Sequence, residues 1–267
     1  MPAPLPLPPF SHTLDRLLAG ESLSSREMEI VIGRVLDGES TPSQIAALLV
    51  ALRAKGERPE EIAAAARALR SRMKVCAFAA NDGVVVLDTC GTGGDGSSSF
   101  NVSTVAAIVV AACGVIVAKH GNRAISSRSG SADLIEALGV PIAPPPSSSA
   151  DDEARFDTAL ERSLHRAGIA FLFAPRHHAA LRHAAAVRKE LGVRTIFNLL
   201  GPLANPALAS HQLLGVYDDR FRAPLAEVLG ELGLRGAWVV HGEACEGAPR
   251  GLDEVSPAGP TRVTVLN

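Results

Sequence analysis

The stretch VVVLDTCGTGGDGSSSFNVSTVAA, from Val84 to Ala107, decides the fold of this chain. An apolar, β-branched run is followed by a glycine- and serine-rich segment, and then by a second apolar run. The first run predicts a buried strand, and the second predicts a buried helix from Asn101 to Cys113. A glycine-rich junction between a strand and a helix is typical of an α/β domain.

The same alternation of strands and helices continues along the chain. GVIVAKHG (114–121) and AWVVHG (237–242) predict strands, SADLIEALGV (131–140) predicts an amphipathic helix, and FDTALERSLHRAGIAFLFAP (156–175) predicts a helix and then a short strand. APPPSSSADDEA (143–154) and EACEGAPRGLD (243–253) predict loops. We therefore expect an α/β domain with a mostly parallel central sheet over residues 76–174 and 207–267.

The part of the chain before this domain has a helical pattern. Residues 1–10, MPAPLPLPPF, predict a flexible tail because the prolines favour an extended conformation. Four helices are expected in a small helical domain over residues 11–75. Their start signals are a capping box at Ser24 and Glu27, a second at Thr41 and Gln44, and a proline at Pro59.

Composition limits the classes of function. The chain has 267 residues and a net charge of −2, with 26 basic and 28 acidic residues, so a basic surface that coats nucleic acid is not expected. Aromatic residues make up only 4%, which argues against base-stacking platforms. The four cysteines, at positions 76, 90, 113 and 245, form no CxxC pair and predict reduced thiols in a cytoplasmic protein.

Two predicted strand exits carry groups that suit a phosphorylated ligand. The segment from Gly91 to Thr104 offers close backbone approach, exposed N–H groups and hydroxyls at a helix start. The next exit supplies Lys119 and Arg123 and then serines before a helix. Either segment alone is equally compatible with an ordinary flexible turn. Their occurrence at consecutive exits suggests that both ends of a phosphorylated ligand are held.

Two further clusters have a functional and a structural interpretation. Asp253 and Glu254 are adjacent carboxylates, which usually lie on a solvated surface, but beside a pyrophosphate they would suit Mg²⁺. His177, His178 and His183 look at first sight like a set of metal ligands. Such histidines are more often caps or surface groups, and we expect no metal there.

Together the motifs DTCGTGGD, FNVST, KHGNRAISSRSGSAD, RKELGVRTIFNLLGPLANP and GLDEVS closely resemble the anthranilate phosphoribosyltransferase family. The resemblance extends from the first predicted helix to about residue 261. It implies a nucleoside phosphorylase/phosphoribosyltransferase-like fold, in which residues 175–206 return to the helical domain and the active site lies in the hinge cleft. It also implies a homodimer formed through the helical domains.

The implied reaction is the second step of tryptophan synthesis from chorismate. Anthranilate and phosphoribosyl pyrophosphate give N-phosphoribosyl-anthranilate and pyrophosphate, with magnesium. The resemblance places the phosphoribosyl pyrophosphate against Gly91, Gly94, Asp95, Ser99, Asn101, Val102, Ser103, Thr104, Lys119, His120, Gly121, Asn122, Arg123, Ala124, Ile125, Ser126, Ser127 and Ser131.

The resemblance also assigns the remaining functional residues. Anthranilate would face Gly91, Asn122, His178 and Arg188, with His120 nearby, and the metal would bind Ser103, Asp253 and Glu254. Lys119 and the two carboxylates would carry the catalysis. The planar guanidinium of Arg188 suits bidentate pairing with the carboxylate of anthranilate.

The chain departs from the family pattern at three places. Family members continue well past the GLDEVS motif, so the α/β domain is expected to be truncated at Asn267. HGEACEGAP, residues 241–249, carries extra residues before Asp253, and Ala179 replaces the usual proline. Two rival functions remain: a pyrimidine-nucleoside phosphorylase of the same architecture, and an inactive relative that binds nucleic acid.

Overall fold

A computed structural model of the chain describes residues 9–76, 78, 84–96, 100–124, 129–243, 251–257 and 259–267. The chain divides into two compact units. The helical unit comprises Met1–Arg72 and Ala180–Leu200, and the α/β unit comprises Met73–Ala179 and Gly201–Asn267. Among the described helices, none is both long and apolar enough to cross a membrane.

The helical unit contains the four predicted helices and two later ones. They are α1 (Phe10–Leu18), α2 (Ser25–Leu36), α3 (Pro42–Lys55), α4 (Pro59–Arg70), α9 (Arg182–Leu191) and α10 (Phe197–Leu200). Both predicted capping boxes are confirmed. The Ser24 hydroxyl accepts the Glu27 N–H, and the Thr41 hydroxyl accepts the Gln44 N–H. These bonds satisfy N–H groups that a helix start otherwise leaves unpaired.

The core of the helical unit lies between α2 and α4. Met28 and Ile32 of α2 and Ile62 of α4 are fully buried. The alanine run 63–66 of α4 is also fully buried. Small side chains let two helices approach closely, so this run explains the tight contact between α2 and α4.

The α/β unit is built on one six-stranded sheet with the order β3-β2-β1-β4-β5-β6. The strands are β1 (Val86–Gly91), β2 (Ile116–Gly121), β3 (Ile169–Phe173), β4 (His211–Gly215), β5 (Gly236–Gly242) and β6 (Thr261–Leu266). The neighbours from β3 to β5 pair in parallel, and β6 pairs antiparallel with β5. The predicted fold class, a mostly parallel sheet beside a small helical domain, is confirmed.

The helices of this unit are α5 (Val102–Ala112), α6 (Ser131–Ala137), α7 (Ala150–Ala167), α8 (Ala174–His177) and α11 (Arg222–Glu231). The strand order reverses direction at β1, because β2 lies on one side of β1 and β4 on the other. In parallel sheets, ligands bind at the carboxyl ends of the strands beside such a reversal. Gly91 ends β1 at this point, directly opposite Gly215 at the end of β4.

Two local predictions are wrong. Helix α5 is not buried all round, since Val105, Ile108 and Val109 are exposed and only its Thr104–Ala107–Ala111 face is buried. Helix α7 begins at Ala150, inside the predicted loop. The Ser149 hydroxyl accepts the Asp152 N–H at 3.3 Å, and three acidic residues in the first turn favour the positive end of the helix.

The cysteines of the described residues, Cys76, Cys90 and Cys113, are free thiols, and Cys245 lies outside the described residues. Burial raises the pKa of Cys76 to about 12 and raises that of Cys90 well above its usual value. Both thiols are therefore protonated and unreactive at neutral pH.

Candidate active site

Asp253 lies against the glycine-rich loop that follows β1. Its carboxylate accepts the N–H of Gly93 at 2.6 Å, and its side chain is buried. A Cβ atom on Gly91 would lie 2.6 Å from the same carboxylate, so only glycine leaves room for it. The backbone N–H of Asp253 points to the carboxylate of Asp95, at 3.4 Å. Two segments far apart in sequence thus meet at the end of β1.

Glu254 lies at the amino-terminal end of α5. Its carboxylate accepts the backbone N–H of Ser103 at 3.2 Å, in the first turn of that helix. A helix start attracts negative charge because its N–H groups point outward. Burial, and next the like charge of Asp253, raise the pKa of Glu254 to about 7. The hydrogen bond from Ser103 and the charge of Lys119 act against this shift.

Lys119 supplies the opposite charge from β2. Its side chain is 2% exposed, and its ammonium donates to the carbonyl of Thr89 at 2.5 Å and to the hydroxyl of Ser103 at 3.2 Å. The Thr89 hydroxyl in turn donates to the Ser103 carbonyl at 2.8 Å. Burial lowers the pKa of Lys119, while Asp88, Cys90 and Glu254 act against that shift. The ammonium is held in a fixed position between β1 and α5.

The loop that follows β2 is tied to the start of α5 and to α6. The Asn101 side chain donates to the Ser129 hydroxyl and to the Gly130 carbonyl, both at 3.3 Å. The Ser131 hydroxyl donates to the Asn122 carbonyl at 3.3 Å. The Ala124 N–H donates to Asp133 at 3.1 Å. The structure therefore brings the two predicted ligand loops together.

The guanidinium of Arg123 is paired with carboxylates of α6. Its guanidinium donates to Asp133 at 3.1 Å and to Glu136 at 2.8 Å, and it lies 5.7 Å from the centre of the Phe173 ring. The predicted contact of Arg123 with the phosphoribosyl pyrophosphate stays a prediction. Of the cations predicted at this exit, Lys119 is thus the one that faces Ser103 and Glu254.

His120, His177 and His178 are buried, and His177 and His178 lie in the last turn and at the C-cap of α8, so they are helix-end residues and not surface groups. The rings of His120 and His178 meet edge to face with 5.0 Å between their centres. Burial lowers the pKa of His178 to about 4 and that of His120 well below its usual value. The backbone N–H of His120 donates to Asp88 at 3.1 Å, and His177 Nδ1 lies 2.8 Å from the Lys74 carbonyl.

Arg188 lies on α9 of the helical unit. Its guanidinium lies 5.4 Å from the centre of the Phe197 ring. Burial lowers the pKa of Arg188 from its ordinary value. The guanidinium is thus partly desolvated within its own unit, a setting in which pairing with a carboxylate is strong.

The remaining predicted residues occupy the same elements. Gly94 lies in the loop after β1 with a φ of 72°, Val102 and the buried Thr104 lie in the first turn of α5, and Gly121 ends β2. Ser99, Ile125, Ser126 and Ser127 lie outside the described residues. Their predicted contacts with the phosphoribosyl pyrophosphate stay predictions.

The sequence prediction missed four residues that shape the site. The carboxylate of the fully buried Asp88 accepts the backbone N–H of His120. The Thr89 carbonyl accepts a hydrogen bond from the Lys119 ammonium, and the Gly93 N–H donates to the Asp253 carboxylate. Gly215 lies beneath the backbone of Asp253. Asp88 could have been found, because a carboxylate directly after VVVL is unlikely to be tolerated without a partner. Gly215 could not, since its importance depends on which strand lies beside β1.

The donor groups fit magnesium. Within the described part of the chain, no group of three or more His, Cys, Asp or Glu side chains is arranged to hold a metal ion. Magnesium needs no such group, because it keeps several waters and takes one or two carboxylates together with substrate phosphates. Asp253 and Glu254 supply two adjacent carboxylates, and the Ser103 backbone and the Lys119 ammonium lie beside them.

Comparison with known proteins gives consistent relatives over nearly the whole chain. Residues 83–267 match a glycosyl transferase family α/β domain, and residues 11–73 match a glycosyl transferase family helical bundle domain. The anthranilate phosphoribosyltransferase of Petrotoga mobilis is 46% identical over 258 residues, which cover 97% of this chain and 69% of that protein.

Two solved structures resemble the chain closely. The anthranilate phosphoribosyltransferase of Thermus thermophilus has a TM-score of 0.80 at 48% identity, covering 94% of this chain and 69% of that one. The enzyme of Saccharomyces cerevisiae in complex with PRPP and Mg has a TM-score of 0.79 at 30% identity, covering 97% of this chain and 72% of that one.

Proposed function

Because this chain belongs to the anthranilate phosphoribosyltransferase family, we propose that the cluster of Lys119, Ser103, Asp253 and Glu254 is where its phosphoribosyl transfer takes place. The enzyme transfers the phosphoribosyl group of phosphoribosyl pyrophosphate to anthranilate, in tryptophan biosynthesis. The single observation that carries the site assignment is the convergence of one buried ammonium, one helix start and two adjacent carboxylates at the end of β1.

The pyrophosphate of the substrate binds at the loop from Gly91 to Asp95 and at the first turn of α5. At this turn the Ser103 hydroxyl lies 3.2 Å from the Lys119 ammonium, so a hydroxyl and a cation stand together there. Burial strengthens the electrostatic effect of that ammonium, because fewer water molecules screen it. The phosphoribosyl end binds at the loop from Asn122 to Ser131, which Asn101 ties to the start of α5.

Magnesium is the metal cofactor, and Asp253 and Glu254 would hold it together with the Ser103 hydroxyl. When bound, the ion neutralises negative charge on the pyrophosphate oxygens. Lys119 acts on the same developing charge from the protein side. It is preorganised by Thr89, so it needs no rearrangement as the leaving group departs.

The chemical step needs little from a nucleophilic side chain. The bond between ribose C1 and the pyrophosphate oxygen breaks, and its electron pair leaves with pyrophosphate. The nitrogen of anthranilate forms the new bond to C1, and its proton is lost to water. An aniline nitrogen bonded to electron-poor carbon is acidic, so a strong general base is not required.

Anthranilate is recognised by Arg188, which pairs with its carboxylate, and by Gly91, Asn122 and His178. The partly desolvated guanidinium of Arg188 and the neutral ring of His178 support this assignment. A neutral, buried imidazole beside an aromatic substrate adds contact area without adding charge.

The test is an assay of anthranilate consumption with phosphoribosyl pyrophosphate and Mg²⁺. The double variant Asp253→Asn/Glu254→Gln is expected to lower kcat by about 10²–10³-fold, since it removes the metal ligands. The matched control, Asp151→Asn/Glu227→Gln, removes two exposed carboxylates of the same unit and is expected to keep the parent kcat.

Two results would overturn the family reaction, and a third would overturn the site assignment. Release of thymine from thymidine and phosphate, without consumption of anthranilate, would identify a pyrimidine-nucleoside phosphorylase. Salt-dependent DNA binding without turnover would identify a nucleic-acid-binding relative. Unchanged kcat in the double carboxylate variant would leave the family reaction in place but remove Asp253 and Glu254 from it.

We also propose that the enzyme acts as a cytoplasmic homodimer associated through the helical units. Leu18 and Val50 support this, because they expose 69% and 46% of their surface on that unit. Free thiols at Cys76 and Cys90 suit a reducing compartment. Light scattering would give about twice the 27.7 kDa chain mass for a dimer, and a monomer mass would contradict it.

A further inference from the structure

Four neighbouring strands of the sheet, β2, β1, β4 and β5, end in glycine, and the same short segment lies across the ends of the last three. β1 ends at Gly91, β4 at Gly215 and β5 at Gly242. The segment Gly251–Ser256, which we call the acid loop, contains Asp253 and Glu254. A glycine in a strand often marks a place where another backbone approaches closely, and the acid loop is such a backbone.

Gly215 is the place of closest approach. A Cβ atom there would overlap the carbonyl oxygen of Asp253 and its carbon. Gly215 also stands directly opposite Gly91 in the register of β1 and β4, and a Cβ on Gly91 would lie 2.6 Å from the Asp253 carboxylate. The two glycines therefore form one surface without side chains, on which both the backbone and the carboxylate of Asp253 rest.

Gly242 holds the same loop from β5. Its N–H donates to the Leu252 carbonyl at 2.9 Å, and its carbonyl accepts the Leu252 N–H at 2.9 Å. A Cβ on Gly242 would lie 3.0 Å from the carbonyl oxygen of Glu254 and 3.0 Å from Cβ of Ser256. Contacts this short require a small shift of the acid loop and not of the sheet, because the strand is fixed by its neighbours.

Conformation does not explain these glycines. Gly91, Gly215 and Gly242 are absent from the residues with positive φ, so other residues could adopt their backbone angles without strain. The space that a side chain would need is instead occupied by the acid loop. Their role is thus to let that loop approach the sheet.

We propose that Gly215 and Gly242 are positioning residues for the Asp253–Glu254 pair, and thereby set the distance between these carboxylates and the start of α5. The inference rests on the proposed function, in which that pair holds magnesium. It assigns a role to two residues that touch neither substrate nor metal. Positions that orient metal ligands in this way typically change metal affinity by about 10–100-fold when altered.

The test compares three glycine-to-alanine variants of the full chain. The Cβ added in Gly215→Ala would overlap the Asp253 carbonyl, whereas the Cβ added in Gly242→Ala would make longer contacts with the acid loop, 3.0 Å from the Glu254 carbonyl oxygen. Gly259→Ala is the matched control, because a Cβ there meets no atom within 4 Å. Binding of Mn²⁺, measured by electron paramagnetic resonance with phosphoribosyl pyrophosphate present, gives a readout that does not depend on turnover. Initial rates against Mg²⁺ concentration and against anthranilate concentration complete the comparison.

Gly215→Ala is expected to weaken Mn²⁺ binding, and to raise the Mg²⁺ concentration for half-maximal rate, by about tenfold or more. Gly242→Ala should act in the same direction with a smaller effect, and Gly259→Ala should match the parent. KM for anthranilate should stay within about twofold in all three, since a shift of the acid loop leaves Arg188 in place. If Gly215→Ala does not fold, Mn²⁺ binding by Gly242→Ala tests the inference instead.

The inference is overturned if folded Gly215→Ala, or Gly242→Ala in its place, binds Mn²⁺ as the parent does. The Asp253→Asn/Glu254→Gln variant separates this failure from failure of the proposed function. If that variant loses Mn²⁺ binding while the glycine variants keep it, the glycines do not position the pair. If that variant also keeps Mn²⁺ binding, the metal assignment itself is wrong.

Discussion

A buried ammonium is costly unless acceptors surround it, and Lys119 has three kinds of acceptor nearby. The Thr89 carbonyl and the Ser103 hydroxyl accept hydrogen bonds from its ammonium, and Asp88 and Glu254 supply negative charge. A lysine held in this way is preorganised, so it stabilises charge that develops beside it without first reorganising. This is the property that departure of a pyrophosphate demands.

Lys119→Met keeps the length of the side chain and removes its charge. We expect kcat/KM for phosphoribosyl pyrophosphate to fall by about 10²–10³-fold, the usual effect of removing one preorganised electrostatic group. Lys189→Met, which removes an exposed lysine, is the control and should leave kcat/KM unchanged. Steady-state kinetics measure both. A fall of less than threefold in folded Lys119→Met would exclude Lys119 from charge stabilisation.

Sequence reasoning located Lys119 but not its partners. A lysine at the end of an apolar run predicts a strand exit, which is a local property that the strand pattern carries. The contacts of Lys119 with Thr89 and Ser103 depend on β1, β2 and α5 being packed together. Likewise, the ion pairs of Arg123 were not predicted, because its partners Asp133 and Glu136 lie one turn apart on α6. Only the folded helix presents both.

At the scale of elements, one carboxylate joins three parts of the helical unit. Glu61 at the start of α4 is 1% exposed and lies 2.7 Å from the ammonium of Lys55 at the end of α3. It also accepts the N–H groups of Leu23 and Arg58, at 2.9 Å and 3.0 Å. The segment before α2, the end of α3 and the start of α4 therefore share a single anchor.

Glu61→Leu leaves an ammonium and two N–H groups without this acceptor. We expect a loss of about 3–5 kcal/mol in the free energy of unfolding, the usual cost of breaking a buried pair by removing one partner. Glu60→Leu, at the exposed neighbouring position, should stay within about 0.5 kcal/mol of the parent. Urea unfolding followed by circular dichroism measures both variants. Equal stability of the two would contradict the anchoring role.

Helix starts could be predicted where the sequence contains a recognisable capping box. Ser24 and Glu27 define the start of α2, because a capping box depends on residues three apart. The start of α7 at Ser149 was missed, since the prolines and serines before it have the composition of a loop. The exposed face of α5 could not be predicted either. Its sequence is apolar on all sides, and only the sheet determines which side is covered.

At the scale of the whole molecule, the class of the sheet could be predicted but not its order. Alternating strand and helix patterns indicate a parallel sheet. The insertion of β4 beside β1 was not predicted, because His211–Gly215 is a short segment that follows a long stretch of helix and turn. That insertion creates the reversal of strand order at which the site lies. The position of the site therefore follows from topology, whereas its residue types follow from sequence.

Three histidines of the α/β unit make the stability of the molecule depend on pH. His120, His177 and His178 are buried, and burial lowers the pKa of each. An unfolded histidine has a pKa of about 6.5, so below that pH the unfolded chain binds more protons than the folded one. Glu254 acts in the opposite direction, since its pKa is raised to about 7. The contribution of one histidine must therefore be isolated by a variant.

His178→Gln removes one of these titrations, and the difference from the parent gives its contribution. The folded pKa of His178 is about 4, so its stabilising effect is complete above about pH 6.5 and is lost as the pH falls to 4. We expect the parent to lose about 3 kcal/mol more than His178→Gln between these limits, because a pKa unit corresponds to about 1.4 kcal/mol. Urea unfolding at a series of pH values measures this difference. His165→Gln, which alters a side chain that is 70% exposed, should follow the parent curve. Parallel curves for His178→Gln and the parent would mean that folding does not lower the pKa of His178, and would contradict its burial as the cause of the pH dependence.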